Sequence, residues 1–396
     1  MKRKLLFVIE SLVAAGAERS LISLLAALDY SRFDVDLQLF RYGGDLERLL
    51  PKQVNLLPPF DYTLFAEKSI WKQLLSLDIR KTARRFLYSI LIRMGKSTHA
   101  DKARIYWKTI GGCLPEKESR YVSAIAYSQG IPTFYVADKV SADKKLAWVN
   151  VGYSLSKRNQ SFQSAFYDKI QHIVCVSETA KAIFDKGFPS CRSHTLVIRD
   201  RIDSSLIRKL SKEYSVALGG DVPAILTVAR FAPQKGYDLS LKACRILKDR
   251  GIRFRWYAIG RGPLRREMER FVQENHLQDH FAFLGTFANP YPYFKAAKLY
   301  VQTSRHEGFG LSIAEARVLG IPVVTTEYDS VWQQMVQGKN GLVVPQDPVA
   351  VADAIERLLT DKNIYDLIVS YLAQESFDSD NTLSLFYGLL DDSPKA

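Results

Sequence analysis

Cysteine is scarce in this chain: four in 396 residues, at positions 113, 175, 191 and 244, with no Cys-x-x-Cys pair among them. That spacing offers neither a zinc-ligand pattern nor a disulfide framework, and it suits a reducing compartment. Long apolar runs are missing too. No stretch approaches the roughly 18 residues that a membrane-spanning helix needs, so no span is expected. Acids are outnumbered, 42 Asp and Glu against 55 Lys and Arg, for a formal charge of +13. An imbalance of this sign points to an anionic partner: nucleic acid, nucleotide phosphates or the cytoplasmic face of a membrane. No repeat of short period appears. No helix-turn-helix, zinc-finger or RNA-binding signature accompanies the charge, so nucleic acid is not an expected partner.

What is present is an ordinary globular composition, 47% apolar and 24% charged, at a length that suits two domains. The opening Met1-Lys-Arg-Lys followed by Leu5-Leu-Phe-Val-Ile has the outline of a signal peptide. Glu10 interrupts it and no small-residue cleavage site follows, so a first β-strand accounts for it better, and the chain is read as cytoplasmic.

The pattern along the chain is strand, turn, helix, repeated. Residues 5–10 read as a strand, 11–19 as a small-residue turn containing Gly16, 19–28 as an amphipathic helix, and the alternating Phe33-Asp-Val-Asp-Leu-Gln-Leu-Phe as the next strand. This is a βαβ unit with a parallel sheet. Further strands are predicted at 122–127, 145–151, 170–177 and from 196, each ending in small or polar residues such as Ser128-Gln129-Gly130 and Asn150. Residues 199–220 are polar and mixed and read as an interdomain linker. The strand–turn–helix order restarts at Pro223 and runs to Pro345. The fold class is therefore α/β, with two doubly wound Rossmann-like domains, residues 1–200 and 201–376. A helix-compatible tail follows at 377–390. Asp378-Ser-Asp380 in that tail has the D-x-D form of a metal site but reads better as a helix N-cap region, and no metal is expected.

One segment differs in character. From 80 to 108 there are nine Lys or Arg (80, 81, 84, 85, 93, 96, 102, 104 and 108) against one acid, Asp101, while Phe86, Leu87, Ile90, Leu91 and Met94 recur at helical spacing. A basic helix with an apolar face can lie on an anionic bilayer. The competing reading is a helix whose apolar face packs on the sheet and whose basic face is solvated.

The candidate site is centred on Glu307-Gly-Phe-Gly-Leu-Ser-Ile-Ala-Glu315. It follows an apolar strand, crosses a glycine-rich turn and enters a helix. Free backbone N–H groups and the helix dipole favour an anion at such a place. Glu307 lies on the turn. Glu315 lies in the second helical turn, whose side chains lean toward the N-terminus, so both carboxylates address one end of the helix. In the same half, Arg230 and Lys235 flank a turn before Gly236, and Gly260 and Gly262 mark another. A guanidinium fork and an ammonium point charge together suit a diphosphate. All of these positions fall at C-terminal ends of predicted parallel strands, the ligand edge of an open α/β sheet.

Residues 222–345 resemble the donor domain of retaining glycosyltransferases of family 4, which have the GT-B fold of two Rossmann-like domains facing across a cleft. The carriers are Val228-Ala-Arg230-Phe-Ala-Pro-Gln-Lys235-Gly236, Ile259-Gly-Arg-Gly-Pro, Phe283-Leu-Gly285, Asn289-Pro-Tyr and the E-x7-E stretch from Glu307 to Glu315. The first half resembles the family more loosely, through Gly16-Ala-Glu-Arg and Trp148-Val-Asn-Val.

The resemblance implies that Arg230 and Lys235 bind a donor diphosphate and that amides around Gly308, Phe309, Gly310 and Leu311 meet phosphate and sugar hydroxyls. It implies that Glu307 contacts the transferred sugar, that Glu315 holds the ribose, and that Thr286 and Phe287 lie near the base. Gly16 would let its loop approach the diphosphate, and the tail 377–390 would pack back on the first domain. The implied reaction moves a hexose or N-acetylhexosamine from a nucleotide-diphosphate sugar, expected to be a UDP-sugar, to a glycan or lipid-linked glycan. It retains anomeric configuration and needs neither cofactor nor metal.

Two positions depart from the family pattern. Many relatives carry His where this chain has Asn150, and several carry an acid where it has Gln129. Either the acceptor pocket differs or activity is low. A GT-B-fold UDP-sugar epimerase and a non-catalytic partner subunit of a transferase therefore stay open as alternatives.

Overall fold

The structure is a computed structural model. It describes residues 2–13, 15–69, 71, 78–94, 98–152, 155–377 and 381–391. The Asp378-Ser-Asp380 motif lies outside the described residues. The chain divides into two compact units, Met1–Asp200 with Asn381–Ala396, and Arg201–Asp380.

The first unit is built on a seven-stranded sheet. Its strands in chain order are β1 (Arg3–Ile9), β2 (Phe33–Leu39), β3 (Val54–Leu56), β4 (Lys117–Ala126), β5 (Val140–Val149), β6 (His172–Cys175) and β7 (Thr195–Val197). They pair in the order β3-β2-β1-β4-β5-β6-β7, with parallel register throughout. The near-continuous apolar runs that mark these strands follow from this arrangement, because a parallel sheet covered by helices is buried on both faces. The last five residues of β1 are all buried. The order reverses between β1 and β4, and that switch point opens a crevice at the strands' C-terminal ends.

The helix after β1 spans Gly16–Ala27. It begins three residues earlier than the spacing of its apolar residues suggested, so Gly16 is its first residue and not part of the preceding turn. Glycine has no side chain with which to signal a helical face, and the sequence pattern starts only at the next apolar position.

The C-terminal helix Thr382–Asp391 belongs to this unit. The buried ring of Phe386 lies 6.1 Å from that of Phe7 and 5.9 Å from that of Trp148. Lys144 Nζ donates to the carbonyls of Leu389 and Leu390 at 3.0 and 3.3 Å, which places a cation at the negative end of the helix dipole. Arg3 and Arg32 both pair with Asp391.

The second unit holds β8 (Ala224–Val228), β9 (Arg255–Ile259), β10 (Phe281–Gly285), β11 (Leu299–Gln302), β12 (Val323–Thr326) and β13 (Gly341–Val344). They pair in the order β10-β9-β8-β11-β12-β13, again parallel. The switch point falls between β8 and β11. Residues 199–220, expected as a linker, include a helix, Ser204–Leu210. Asp203 caps it by accepting from Leu206 N, and its Ile207 and Leu210 are buried. Two apolar residues at i and i+3 suffice for a short helix anchored in this way, although the polar composition around them hides the signal.

Replacing Phe386 with Ala removes a fully buried ring from the first unit. We expect a loss of about 3–5 kcal/mol, read as a fall in the midpoint of denaturant unfolding. An unchanged midpoint would mean that the C-terminal helix contributes nothing to that unit.

Candidate functional site

Three loops leave the C-terminal ends of β8, β11 and β12, and short polar side chains tie them together. Thr303 Oγ1 donates to the carbonyl of Gly236 at 2.8 Å. Arg305 N donates to Gln234 O at 2.8 Å, and the Arg305 guanidinium meets both Asp238 oxygens at 2.8 and 2.7 Å. Thr326 Oγ1 donates to Ser304 O at 2.6 Å, and Ser330 Oγ to the carbonyl of Glu307 at 3.1 Å. Gln334 Nε2 reaches the carbonyls of Phe309 and Gly310.

Two glycines are required by contact. A Cβ on Gly236, whose φ is +63°, would lie 1.9 Å from Thr303 O. One on Gly260 would lie 2.0 Å from Ala229 O. No L side chain fits either place, so the backbone of these loops is held at close approach.

Within this frame Lys235 and Glu307 meet. Lys235 Nζ donates to Oε1 and Oε2 of Glu307 at 2.5 and 2.7 Å. The same carboxylate accepts from Ser304 Oγ at 2.6 Å and from Gln302 Nε2 at 3.1 Å. Gln302 Oε1 in turn accepts from the fully buried Tyr300 hydroxyl at 3.0 Å. The side chains of the pair are only 20% and 11% exposed, so each charge depends strongly on the other. Arg230 ends β8 in an exposed position, and among the described residues its guanidinium has no ion-pair partner. Arg261, also exposed, stands at the neighbouring strand end, where its carbonyl accepts from Phe231 N at 2.9 Å.

Past Glu307 the chain enters the helix Leu311–Val318. Its N-cap, Gly310, is left-handed and supplies no side-chain hydrogen bond to the first turn. Gly308 is buried, while Phe309 and Leu311 are half-buried. The other carboxylate of the E-x7-E stretch is differently placed. Glu315 is 2% exposed, and its Oε1 accepts from the Tyr291 hydroxyl at 2.9 Å. The charges of both carboxylates act on one buried phenol, Tyr300. Burial above all pushes Tyr300 far above the usual tyrosine range, and the charges of Glu315 and Glu307 push in the same direction. After β9, Gly262 follows the tight turn of Gly260; after β10, Thr286 is exposed and the Phe287 ring lies 4.5 Å from that of Tyr293.

The first unit brings its own candidates together. Asn150 Nδ2 donates to Tyr127 O at 2.9 Å, and Gln129 Oε1 accepts from Val151 N at 3.3 Å. The two side chains therefore bridge the ends of β4 and β5. Asn150 Oδ1 is shielded from solvent and has no hydrogen-bond partner among the described residues. Gly16 is exposed at its helix start. Two residues on, burial pushes the Glu18 carboxyl up to about 7. Its own backbone N–H opposes the rise, and the negative charge of Glu10 adds to it.

Gln302, Ser304, Tyr291, Ser330 and Gln334 were not singled out from the sequence. The signal available was the end of β11, where polar Gln302-Thr-Ser follows a wholly buried strand. A polar side chain at such a place must find a partner.

Residues 212–373 match the family profile described as Glycosyl transferases group 1. The chain is 28% identical over 195 residues to an uncharacterized glycosyltransferase of Methanocaldococcus jannaschii, over 48% of this chain and 50% of that protein. It is also 28% identical over 141 residues to the putative colanic acid biosynthesis glycosyltransferase WcaL of Salmonella typhimurium, over 34% and 35%. The chain thus spans half or less of the length of these relatives. The crystal structure of Anabaena HepE in complex with UDP and glucose superposes with a TM-score of 0.69 at 18% identity, covering 98% of this chain and 100% of that one. This likeness identifies the fold, two parallel-sheet Rossmann-like domains of the GT-B type.

Glu18 yields a pH-dependent expectation. Its carboxyl titrates at about 7 in the folded chain against an ordinary 4.5, so folding favours the protonated form. Stability from this group is full below about pH 4.5 and is lost as the pH rises through 7. Glu18→Gln, which mimics the protonated acid, should match the wild-type melting temperature at pH 5 and exceed it at pH 8.5. Equal melting at both pH values would show that the carboxyl is ordinarily solvated.

Proposed function

We propose that this chain is a retaining glycosyltransferase of family 4, of hexosyltransferase type. It would move a hexose or N-acetylhexosamine from a UDP-sugar to a glycan or lipid-linked glycan in the synthesis of a surface polysaccharide such as a capsule. The work is done in the cytoplasm at the inner face of a membrane. The observation that carries this reading is the composition of the second unit's switch point. An unpaired guanidinium, Arg230, and an ammonium held on a carboxylate, Lys235 on Glu307, stand on loops of the same edge as an uncapped helix N-terminus. The group 1 match over residues 212–373 supports the assignment.

The chemistry follows from these groups. A diphosphate presents oxygens to Arg230 and to Lys235, which has three donors and directs two hydrogen bonds to the Glu307 carboxylate. Sharing Lys235 with phosphate leaves Glu307 free to accept from a sugar hydroxyl while Ser304 and Gln302 keep the carboxylate in place. As the bond to the anomeric carbon breaks, negative charge accumulates on the departing diphosphate. Positive side chains and helix amides already aimed at it lower the barrier without reorganising. The reaction so drawn uses no resident cofactor or metal. Glu315, buried on Tyr291, is assigned the ribose hydroxyls, with Thr286 and Phe287 at the base. Acceptor recognition is assigned to the first unit, to Gln129 and Asn150, where Asn150 Oδ1 is an acceptor still to be used.

Melting curves with UDP, GDP, ADP and their sugar conjugates test the donor. UDP should raise the melting temperature, by the equivalent of about 2.7 kcal/mol at a hundredfold excess over Kd. Lys235→Ala should weaken UDP binding roughly 10- to 100-fold, the worth of a hydrogen bond to a charged group. Turnover in Glu307→Ala should fall about 100-fold or more. Absence of a shift with every nucleotide would overturn the reading in favour of a non-catalytic partner subunit. UDP and free sugar released without acceptor would favour the epimerase.

A further inference from the structure

The helix Ile79–Arg93 in the first unit is turned inside out. Ile79, Phe86, Leu87, Ile90, Leu91 and Met94 are 80, 68, 47, 39, 36 and 76% exposed, and no residue of the helix is buried. At 3.6 residues per turn, the exposed positions 79, 80, 83, 86, 87, 90, 91, 93 and 94 form one continuous arc of about 160°. That arc carries seven apolar side chains, with Arg80 on one flank and Arg93 on the other. No acid occurs anywhere from 79 to 94.

The opposite arc faces the protein and is the polar one. Arg84 Nη1 lies 3.5 Å from Thr109 O and 3.7 Å from Cys113 Sγ. Arg85 donates to the carbonyl of Ala66, and the Tyr88 ring sits edge-on to Tyr106 at 5.6 Å. A surface helix ordinarily buries its apolar stripe and solvates its charges. Here two arginines anchor the helix inward, and a contiguous apolar strip, rimmed by cations, points to solvent.

We propose that this helix is a membrane-docking surface, lying in the headgroup plane of an anionic bilayer with Phe86, Leu87 and Ile90 in the acyl boundary and Arg80 and Arg93 among the lipid phosphates. Charge complementarity selects this occupant. A second copy of the chain would set the same basic flanks against one another, whereas anionic headgroups match the rim and acyl chains match the strip. At 15 residues the helix is about 22 Å long, too short to span a membrane and suited to lying along it. The inference deepens the proposed function, on which it rests only for the lipid-linked acceptor. The surface itself is independent of sugar transfer.

Sedimentation of the full chain with vesicles tests it. Binding to vesicles of about 30 mol% phosphatidylglycerol in phosphatidylcholine should exceed binding to pure phosphatidylcholine at least ~10-fold and weaken with salt. The double variant Phe86→Ser/Ile90→Ser should lose ~10-fold or more of that binding, and Arg80→Glu/Arg93→Glu should lose the preference for anionic lipid. Because these side chains are exposed, both variants should melt with the wild type and keep its UDP-induced shift. Failure to bind either vesicle, undiminished binding by the serine variant, or a wild-type dimer that the serine variant disperses would each overturn the proposal. Vesicle binding without any nucleotide shift would leave the surface standing and remove the transferase reading. A nucleotide shift without vesicle binding would do the reverse.

Discussion

The second unit depends on parallel register. Because β8 and β11 run side by side in the same direction, the loops that follow them emerge at the same edge. Lys235 and Glu307, 72 residues apart in the chain, arrive within hydrogen-bond distance. An antiparallel pairing would send those loops to opposite ends. The pair is largely withdrawn from water, so removing one partner leaves the other charge poorly compensated. The loops are therefore committed to the arrangement that keeps the charges together.

Around the pair the structure spends short side chains on stiffness. Thr303, Thr326 and Ser330 each join one loop to the next through a short side chain with little conformational freedom to lose, and Ser304 braces Glu307 within its own loop. Gly236 and Gly260 let backbones approach to distances that no Cβ tolerates. If the proposed transfer takes place here, such preorganisation serves it, since groups already in place need not move when charge appears.

The first unit presents the opposite physical problem, an apolar strip that among the described residues is exposed to solvent. Interior contacts at the helix Ile79–Arg93 are made by the guanidinium groups of Arg84 and Arg85 together with the Tyr88 ring, and burying guanidinium groups in part is costly unless they are hydrogen-bonded. The same unit carries an acid shifted toward neutrality, Glu18, close in sequence to its exposed helix start at Gly16.

Much of the architecture was legible in the order of residues. Apolar runs of four to seven residues ending in small polar ones marked the strands, because both faces of a parallel sheet are buried. The glycine-rich turns marked the ends at which ligands bind, and the spacing of Glu307 and Glu315 on a turn and a helix was plain. The helix Ser204–Leu210 inside the expected linker at 199–220 was hidden because a seven-residue helix needs only a cap and two apolar contacts. Sequence alone could not say that Glu307 would hold Lys235, or that Tyr291 would cover Glu315, since those pairings depend on which strands lie together. The helix at 79–93 shows the limit most clearly. Its periodicity determined that one face is apolar and that cations surround it. Which way that face points was decided only by tertiary structure, through the inward bonds of Arg84 and Arg85, because periodicity defines a stripe on a cylinder and not the direction in which the cylinder is turned.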